Sequence, residues 1–512
     1  MNKTFKTVFL LFFFLLSVSA GIAQAMREIR TLLVFFDGLR PEYITPEIMP
    51  NVYAFSREAS NGKNHHSVIP TVTRVNASSY SSGSYPATHG VMGNTIYLAT
   101  VKKDKGISTS DYEVMNAANE TLGGKLLTSI TLGEILQESG ERMMVFSSGS
   151  TGQAFLQNHT ISGGAIVNPE LIFPESIRAT VTTEIGPPPD ESKSKTAGHT
   201  WITDALVKYG LRMDGPLVSA IWYSDPDGTA HSDGIGAPTT LTAIHAVDHE
   251  FGRILKALNQ NGLDKNFNII ISADHGFITH KGKTGLGQFL ISKGLMKSEP
   301  NEDIVVADGA IYVKNHELPV IKKIVETLQQ QDWVGPIFTK AKKPGDIKGT
   351  VAGTLSFESI HWNHERAGDI LVFSNWNDER NDYGFAGMDF IGGVAGHGGV
   401  SPYEIHIALI ASGPSFKNGF ESQLPTSNVD IVPTVLYVQG LTIPPSMEGR
   451  VWKELLVEKS ENETQSPIIK TVSTKTKING GRYSITLQQT LLGKYMYVDF
   501  GKAERKASKA KR

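Results

Sequence analysis

No cysteine occurs among the 512 residues, so the fold has no disulfide framework and no thiolate to offer a metal. Any metal ligand must then be a carboxylate, an imidazole or a hydroxyl. Past the N-terminal segment, no run approaches the roughly 20 apolar residues that a membrane-spanning helix needs. Excess charge of one sign is missing too. Lys and Arg number 49 against 51 Asp and Glu, and a net charge of −2 gives no footprint for a specific nucleic-acid partner.

The N-terminal segment is different in character. Lys3 and Lys6 precede the apolar run Val8 to Leu16, and Ala23-Gln-Ala25 has the small-x-small pattern of a signal-peptidase site. Residues 1–25 therefore read as a secretory signal, which predicts an exported chain, periplasmic or secreted, with no transmembrane helix once the signal is removed.

The remainder alternates strand and helix patterns. Thr31–Phe36, Met143–Ser147, Leu217–Tyr223, Phe267–Ile271, Ile370–Phe373 and Ile405–Ile410 are apolar on both faces, as strands of a covered parallel sheet are. Ile244, Val247, Phe251, Ile254, Leu255 and Leu258 repeat with helical period. The pattern predicts an α/β fold with a mostly parallel central sheet flanked by helices, over residues 26–458. Polar stretches at 95–130 and 160–200 read as loops. An insertion at about 280–395, with the aromatic and charged segment Asn375–Phe385, reads either as a cap on the rim of a site or as a surface excursion. Residues 459–512 are a C-terminal extension. Here Lys470–Ile478, the turn Asn479-Gly-Gly481 and Arg482–Leu487 form a hairpin, Lys494–Phe500 adds a third strand, and a basic tail reads as a frayed end.

The chemistry sits where the strand-like runs stop. Asp37 follows the first run, Asp227 and His231 follow Leu217–Tyr223, Asp274-His275 follows Phe267–Ile271, and His397 lies in Gly396-His-Gly398. In parallel sheets ligands collect at the carboxyl ends of strands. Three carboxylates, three imidazoles and the hydroxyl of Thr73 suffice for two neighbouring zinc ions, which makes the chain a candidate dinuclear metallohydrolase. Asp227 and His231 share one face of a helical turn if a helix begins after Pro226. Asp274 and His275 can both reach a metal only where the chain leaves regular structure, a bend that Gly276 permits.

The order Asp, Thr, Asp-x3-His, Asp-His, His, with Pro70-Thr-Val-Thr-Arg-Val-Asn76 and Tyr85–Asn94, resembles the alkaline phosphatase superfamily. Within it the chain is most similar to the nucleotide pyrophosphatase/phosphodiesterase branch, in which an Asn stands 21 residues after the nucleophilic Thr, as Asn94 does after Thr73. Asp430-Ile-Val-Pro-Thr-Val and Met447–Arg450 resemble that family's closing helix and loop. The resemblance implies an alkaline-phosphatase-like fold in which Asp37, Thr73, Asp274 and His275 hold one zinc and Asp227, His231 and His397 the other. It also implies a phosphothreonine intermediate on Thr73, a side-chain amide of Asn94 that donates to a phosphate oxygen, and a small phosphate ester as substrate.

Alternatives stand beside these roles. Thr73 also reads as a helix N-cap, Thr71 as a rival nucleophile that fits the family less well, and Asn94 as a turn residue. Arg74 is either a second phosphate clamp or a cation turned elsewhere. His65, His66 and His89 read as structural. Superfamily members that prefer monoesters carry extra cations, whereas the loop Phe146–Gly152 has no basic residue. That favours a phosphodiesterase or nucleotide pyrophosphatase over a phosphomonoesterase or phosphonate hydrolase; no sulfatase-type Cys/Ser-x-Pro-x-Arg segment is found. A non-catalytic binding protein is the reading from another class. Phe385, Tyr383, Trp376 and Phe155 are candidates for a nucleoside slot.

Overall fold

The computed structural model describes residues 29–458 and 466–508, apart from 162, 191–194 and 284. The signal-like segment 1–25, the start of the linker after residue 458, and Lys509, Lys511 and Arg512 lie outside the described residues. Nine strands make the central sheet: β1 (Arg30–Phe36), β2 (Ser60–His66), β3 (Met143–Ser147), β4 (Ala165–Val167), β5 (Ile172–Phe173), β6 (Val218–Tyr223), β7 (Phe267–Ser272), β8 (His406–Ser412) and β9 (Phe420–Ser427). Their spatial order is β9-β2-β8-β7-β1-β6-β3-β4-β5. The run from β7 through β4 is parallel, while β8 lies antiparallel to both its neighbours and β5 antiparallel to β4. The sheet is therefore mixed, and mostly parallel.

Alternation along β1 shows why its run is apolar throughout. Leu33 and Phe35 enter the core on one face, and Leu32, Val34 and Phe36 enter the core on the other. β6 divides the same way, with Val218, Ala220 and Trp222 opposed to Ile221 and Tyr223. Helices cover both faces, as two-sided burial requires. Those that matter for the site are α1 (Thr73–Ser82), α2 (Asp227–Asp233) and α3 (Pro238–Gln260). None of the helices among the described residues is long and apolar enough to cross a membrane.

Three expectations change. Ile370–Ser374 is a strand, but it pairs antiparallel with Ala310–Val313 and Val334–Thr339 in a separate five-stranded sheet within the insertion. Two-sided burial fits a small sheet covered by the helix Leu318–Leu328 as well as it fits the central one. The polar stretches contain helices, among them Tyr112–Thr121, whose N-cap Asp111 accepts from Val114 N at 3.0 Å, and Arg178–Ile185. Capping and a narrow buried edge, Met115 and Ala118, suffice for the first of them. The third concerns the tail. The C-terminal sheet Ile468–Ile478, Gly481–Leu492 and Tyr495–Ala507 is longer than its apolar pattern, and Lys502, Arg505 and Lys506 belong to its last strand. Arg505 Nε donates to Gln329 O at 2.9 Å, and Lys502 Nζ lies 4.4 Å from the Trp376 ring.

This small sheet is bound to the rest by polar contacts. His66 Nε2 meets Asp499 Oδ1 at 3.1 Å, the Tyr497 hydroxyl donates to Asp430 Oδ2 at 3.1 Å, and the Tyr483 hydroxyl donates to Gly335 O at 2.6 Å. Two other histidines are sealed in the core. His65 contacts Thr426 Oγ1 at 2.8 Å and Asn428 Oδ1 at 3.2 Å, while His89 accepts from Val91 N at 3.1 Å and meets Ser79 Oγ at 2.9 Å. Burial pushes both down to about 3.

A histidine that is neutral when folded and titrates near 6.5 when unfolded leaves stability intact above that pH and costs it below. As pH falls from 6.5 toward 3, each such residue removes up to about 1.4 kcal/mol per pH unit. Urea unfolding at pH 7.5 and 5.0 should show His65→Gln losing less stability over the interval than wild type. Equal losses would exclude His65 as a source of acid sensitivity.

Candidate active site and metal centre

Each motif leaves the sheet at the same edge. Asp37 directly follows β1 and stays attached to the neighbouring strand, its N donating to Tyr223 O at 2.9 Å, while Asp227 N donates to Asp37 O at 2.9 Å. The loops after β1 and β6 are thereby joined. Gly38 N donates to Asp274 Oδ1 at 3.0 Å, which brings in the loop after β7. Gly38 has φ +72, and a Cβ there would stand 2.9 Å from the Phe277 ring. Gly276 works differently from the bend expected of it. Its φ is not left-handed; a Cβ would lie 2.1 Å from Tyr403 O, so glycine is needed for the close approach of the β8 side of the chain.

All three site histidines are oriented alike. The Nδ1 atoms of His275, His231 and His397 lie 3.0, 3.0 and 2.9 Å from the carbonyl oxygens of Gly276, Ala395 and Thr71. A carbonyl only accepts, so each Nδ1 carries a proton and each Nε2 is turned toward the carboxylates. His231 and His397 Nε2 both stand 3.3 Å from Asp227 Oδ1, and His275 Nε2 stands 3.0 Å from Asp274 Oδ2 and 3.5 Å from Asp37 Oδ1. α2 carries Asp227 and His231 one turn apart. The ligand atoms of Asp227, His275 and His397 lie within 4.8 Å of one another, as do those of Asp37, Asp274 and His275. His275 is common to both groups.

Three carboxylate oxygens are buried here without a hydrogen-bond donor: Asp37 Oδ1, Asp227 Oδ1 and Asp274 Oδ2. Buried unpaired charge is costly, so the arrangement is one that a cation completes. Burial, and after it the charges of Asp274 and Asp227, push the Asp37 carboxyl well above its usual range. Burial works against ionisation of Asp227 as well, but the imidazoles of His231 and His397 hold it low. Its own burial, and then His275, push His397 down to about 4, leaving Nε2 free to ligate.

Thr73 is not an N-cap. Val72 holds that position, α1 begins at Thr73, and the Thr73 hydroxyl lies 3.3 Å from His275 Nε2, against both ligand groups. Thr71, by contrast, is occupied. Its hydroxyl donates to Gly399 O at 2.9 Å and accepts from Gly398 N at 3.1 Å, which locks the loop carrying His397. Asn94 Oδ1 accepts from Arg74 N at 3.0 Å, so its side chain meets the start of the Thr73 helix. Beside these residues a cavity of about 410 Å³ is lined by Asn94, His231, His397, Asp308, Trp333 and Trp376. Its far wall comes from the insertion, which therefore forms a rim.

A family model described as type I phosphodiesterase / nucleotide pyrophosphatase matches residues 31–378. The chain belongs to this family. It is 23% identical over 427 residues to bis(5'-adenosyl)-triphosphatase enpp4 of Xenopus laevis, across 81% of this chain and 79% of that protein. To ectonucleotide pyrophosphatase/phosphodiesterase family member 3 of Mus musculus it is 25% identical over 248 residues, 48% of this chain; the match spans only 24% of that longer relative. Among solved structures, murine ectonucleotide pyrophosphatase / phosphodiesterase 5 superposes with a TM-score of 0.60 at 18% identity, over 83% of this chain and 100% of that one. A mutant of alkaline phosphatase PafA gives 0.63 at 17%, over 84% and 99%. These two likenesses concern the fold, which is alkaline-phosphatase-like.

Several side chains depart from their expected places. Ser148 does not face the cavity. Its hydroxyl meets His199 Nδ1 at 2.8 Å, and His199 Nε2 meets Asp225 Oδ2 at 2.9 Å, a buried chain beneath the loop that leads to Asp227. The loop Phe146–Gly152 has no cation of its own, yet it receives one: Arg74 Nη2 donates to Ser150 Oγ at 3.2 Å. Trp222, hidden in an apolar strand, donates its indole N–H to Asp37 Oδ2 at 2.9 Å. Of the aromatic candidates, only Trp376 lines the cavity; Phe385 packs tilted against Tyr43 at 5.0 Å between centroids, Phe155 is buried against Tyr112, and Tyr383 is exposed.

If the cluster is a cation site, its repulsion is a stability cost that metal removes. In excess chelator, Asp37→Asn should be more stable than wild type by ~1–2 kcal/mol, because one of three crowded carboxylates is neutralised. With a saturating divalent metal the order should reverse, since binding stabilises only the protein that retains the ligand. Thermal unfolding under both conditions checks this, and an unchanged order would rule out a cation site.

Proposed function

We propose that this chain is a zinc-dependent phosphodiesterase or nucleotide pyrophosphatase that works through a phosphothreonine at Thr73. The observation that carries the proposal is the clustering of three backbone-anchored imidazoles with three unpartnered carboxylate oxygens, with the Thr73 hydroxyl 3.3 Å from the His275 Nε2 that both ligand groups share. Asp37, Thr73, Asp274 and His275 would hold one zinc, and Asp227, His231 and His397 the other. An all-nitrogen-and-oxygen donor set in a chain without cysteine suits that metal in a catalytic site. Zinc there supplies Lewis acidity, which lowers the pKa of the hydroxyl and offsets charge on the phosphoryl group.

The residues divide the remaining work. Thr73 gives up its proton to solvent water, and its oxygen attacks phosphorus in line as the bond to the departing alkoxide or phosphate breaks. Asn94, with Oδ1 engaged by Arg74 N, keeps its NH2 for a non-bridging oxygen. Water then attacks the phosphothreonine and restores the hydroxyl. The cavity beside Asn94 receives the leaving group, and its tryptophans offer apolar surface to a nucleoside or another aromatic group. The competing reading, a binding protein without turnover, gains nothing from a hydroxyl placed at the ligand atoms. Residues 1–25 support export to the periplasm or beyond.

Zinc-loaded protein should hydrolyse bis-p-nitrophenyl phosphate. Thr73→Ser should retain substantial activity, whereas Thr73→Ala should lose more than about a hundredfold, or ~2.7 kcal/mol of barrier. A Thr73→Ala rate within tenfold of wild type would sink the covalent route. His397→Ala should lower zinc from two ions per chain toward one, as measured by elemental analysis. Two zinc ions and full activity in that variant would defeat the ligand assignment.

A further inference from the structure

Arg74 is a half-buried cation without a counter-ion among the described residues. The residue is partly exposed, yet among the described residues it makes no ion pair, and its one side-chain hydrogen bond is the 3.2 Å contact from Nη2 to Ser150 Oγ. Nε is buried and has no partner at all. The nearest carboxylates do not serve it. Asp37, Asp227 and Asp274 belong to the ligand cluster, and Asp308, held in a left-handed turn with φ 53, spends Oδ2 on Thr95 N at 2.8 Å. An enclosed donor without an acceptor is costly, so the guanidinium is one that an anion from outside the protein completes.

Position identifies the anion. Arg74 immediately follows Thr73, its backbone N is held by Asn94 Oδ1, and its side chain crosses to the loop after β3. The guanidinium stands within electrostatic reach of Asp37, Asp227 and Asp274, the carboxylates of the ligand cluster that the Thr73 hydroxyl adjoins. Its planar fork fits two oxygens of one phosphoryl group. We propose that Arg74 binds the transferred phosphoryl group and takes up its second negative charge, so that the same site also hydrolyses dianionic phosphate monoesters. The proposal rests on the phosphothreonine reading given above. In the step, the bond from phosphorus to the Thr73 oxygen forms as the bond to the leaving alkoxide breaks, and water afterwards releases inorganic phosphate. Arg74 gains and loses no proton. In a diester the corresponding oxygen bears a carbon substituent and is neutral, so the guanidinium has less to hold.

The test compares p-nitrophenyl phosphate with bis-p-nitrophenyl phosphate in wild type, Arg74→Met and Arg74→Lys, each loaded with zinc and checked for equal zinc content. Wild type should turn over both. In Arg74→Met, kcat/KM for the monoester should fall at least thirtyfold more than for the diester, and Arg74→Lys, which keeps the charge and loses the fork, should recover part of that difference. A readout independent of turnover is calorimetric binding of inorganic phosphate, which Arg74→Met should weaken at least tenfold. Equal losses on both esters, with phosphate binding unchanged, would make Arg74 a structural residue and overturn the proposal. A wild type active on the diester alone would overturn it while leaving the phosphodiesterase reading intact. A wild type active on neither would remove both.

Discussion

Like charges held together out of water are the constraint on which the rest of the structure depends. β1, β6 and β7 are adjacent and parallel, and each ends by delivering a carboxylate to the same small volume. Left alone, Asp37, Asp227 and Asp274 would repel one another. The surroundings show how that is contained: an indole N–H on Asp37, a glycine N–H on Asp274, and imidazoles whose far nitrogens are fixed on backbone carbonyls. None of these neutralises the charge. They aim it, and leave the balance to a cation. The rigid sheet underneath makes such an arrangement tolerable, because its two-sided core provides the stability that the site consumes.

Much of this could be read from sequence, for a physical reason. A strand buried on both faces must be apolar at every position, so the residue at which polarity returns marks the end of the strand, and in a parallel sheet that end is where ligands bind. Asp37 and Asp274 were locatable in this way, and the four-residue spacing of Asp227 and His231 located their helix. What stayed hidden depends on direction and partner. The sequence around Ile370 shows that both faces are covered, not by which sheet. Ser148 and Ser150 are equivalent as letters, yet one hydroxyl is turned to a buried histidine and the other to Arg74. A long side chain such as Arg74 has its direction set by residues distant in sequence. Trp222 counted as apolar area, although one of its atoms is a donor to the site.

The same limit applied to the C-terminal strands. Their hairpin was legible because Asn-Gly at a turn has a local cause, whereas the reach of the last strand to Ala507 was not, because Lys502 and Arg505 are held by Trp376 and Gln329 across a tertiary interface. Cationic composition looked like solvation. In the structure the aliphatic stems and charged ends of these residues are used on the main body.

The contact between Trp222 and Asp37 carries a consequence for observation. Of the six tryptophans, Trp222 is the one whose N–H meets a carboxylate of the ligand cluster, and its buried ring is stacked 4.8 Å from Phe35. Indole emission responds to the charge near its nitrogen. A cation that drew electron density from Asp37 would alter that charge at hydrogen-bond distance, so tryptophan emission would report occupancy of the centre without substrate or label.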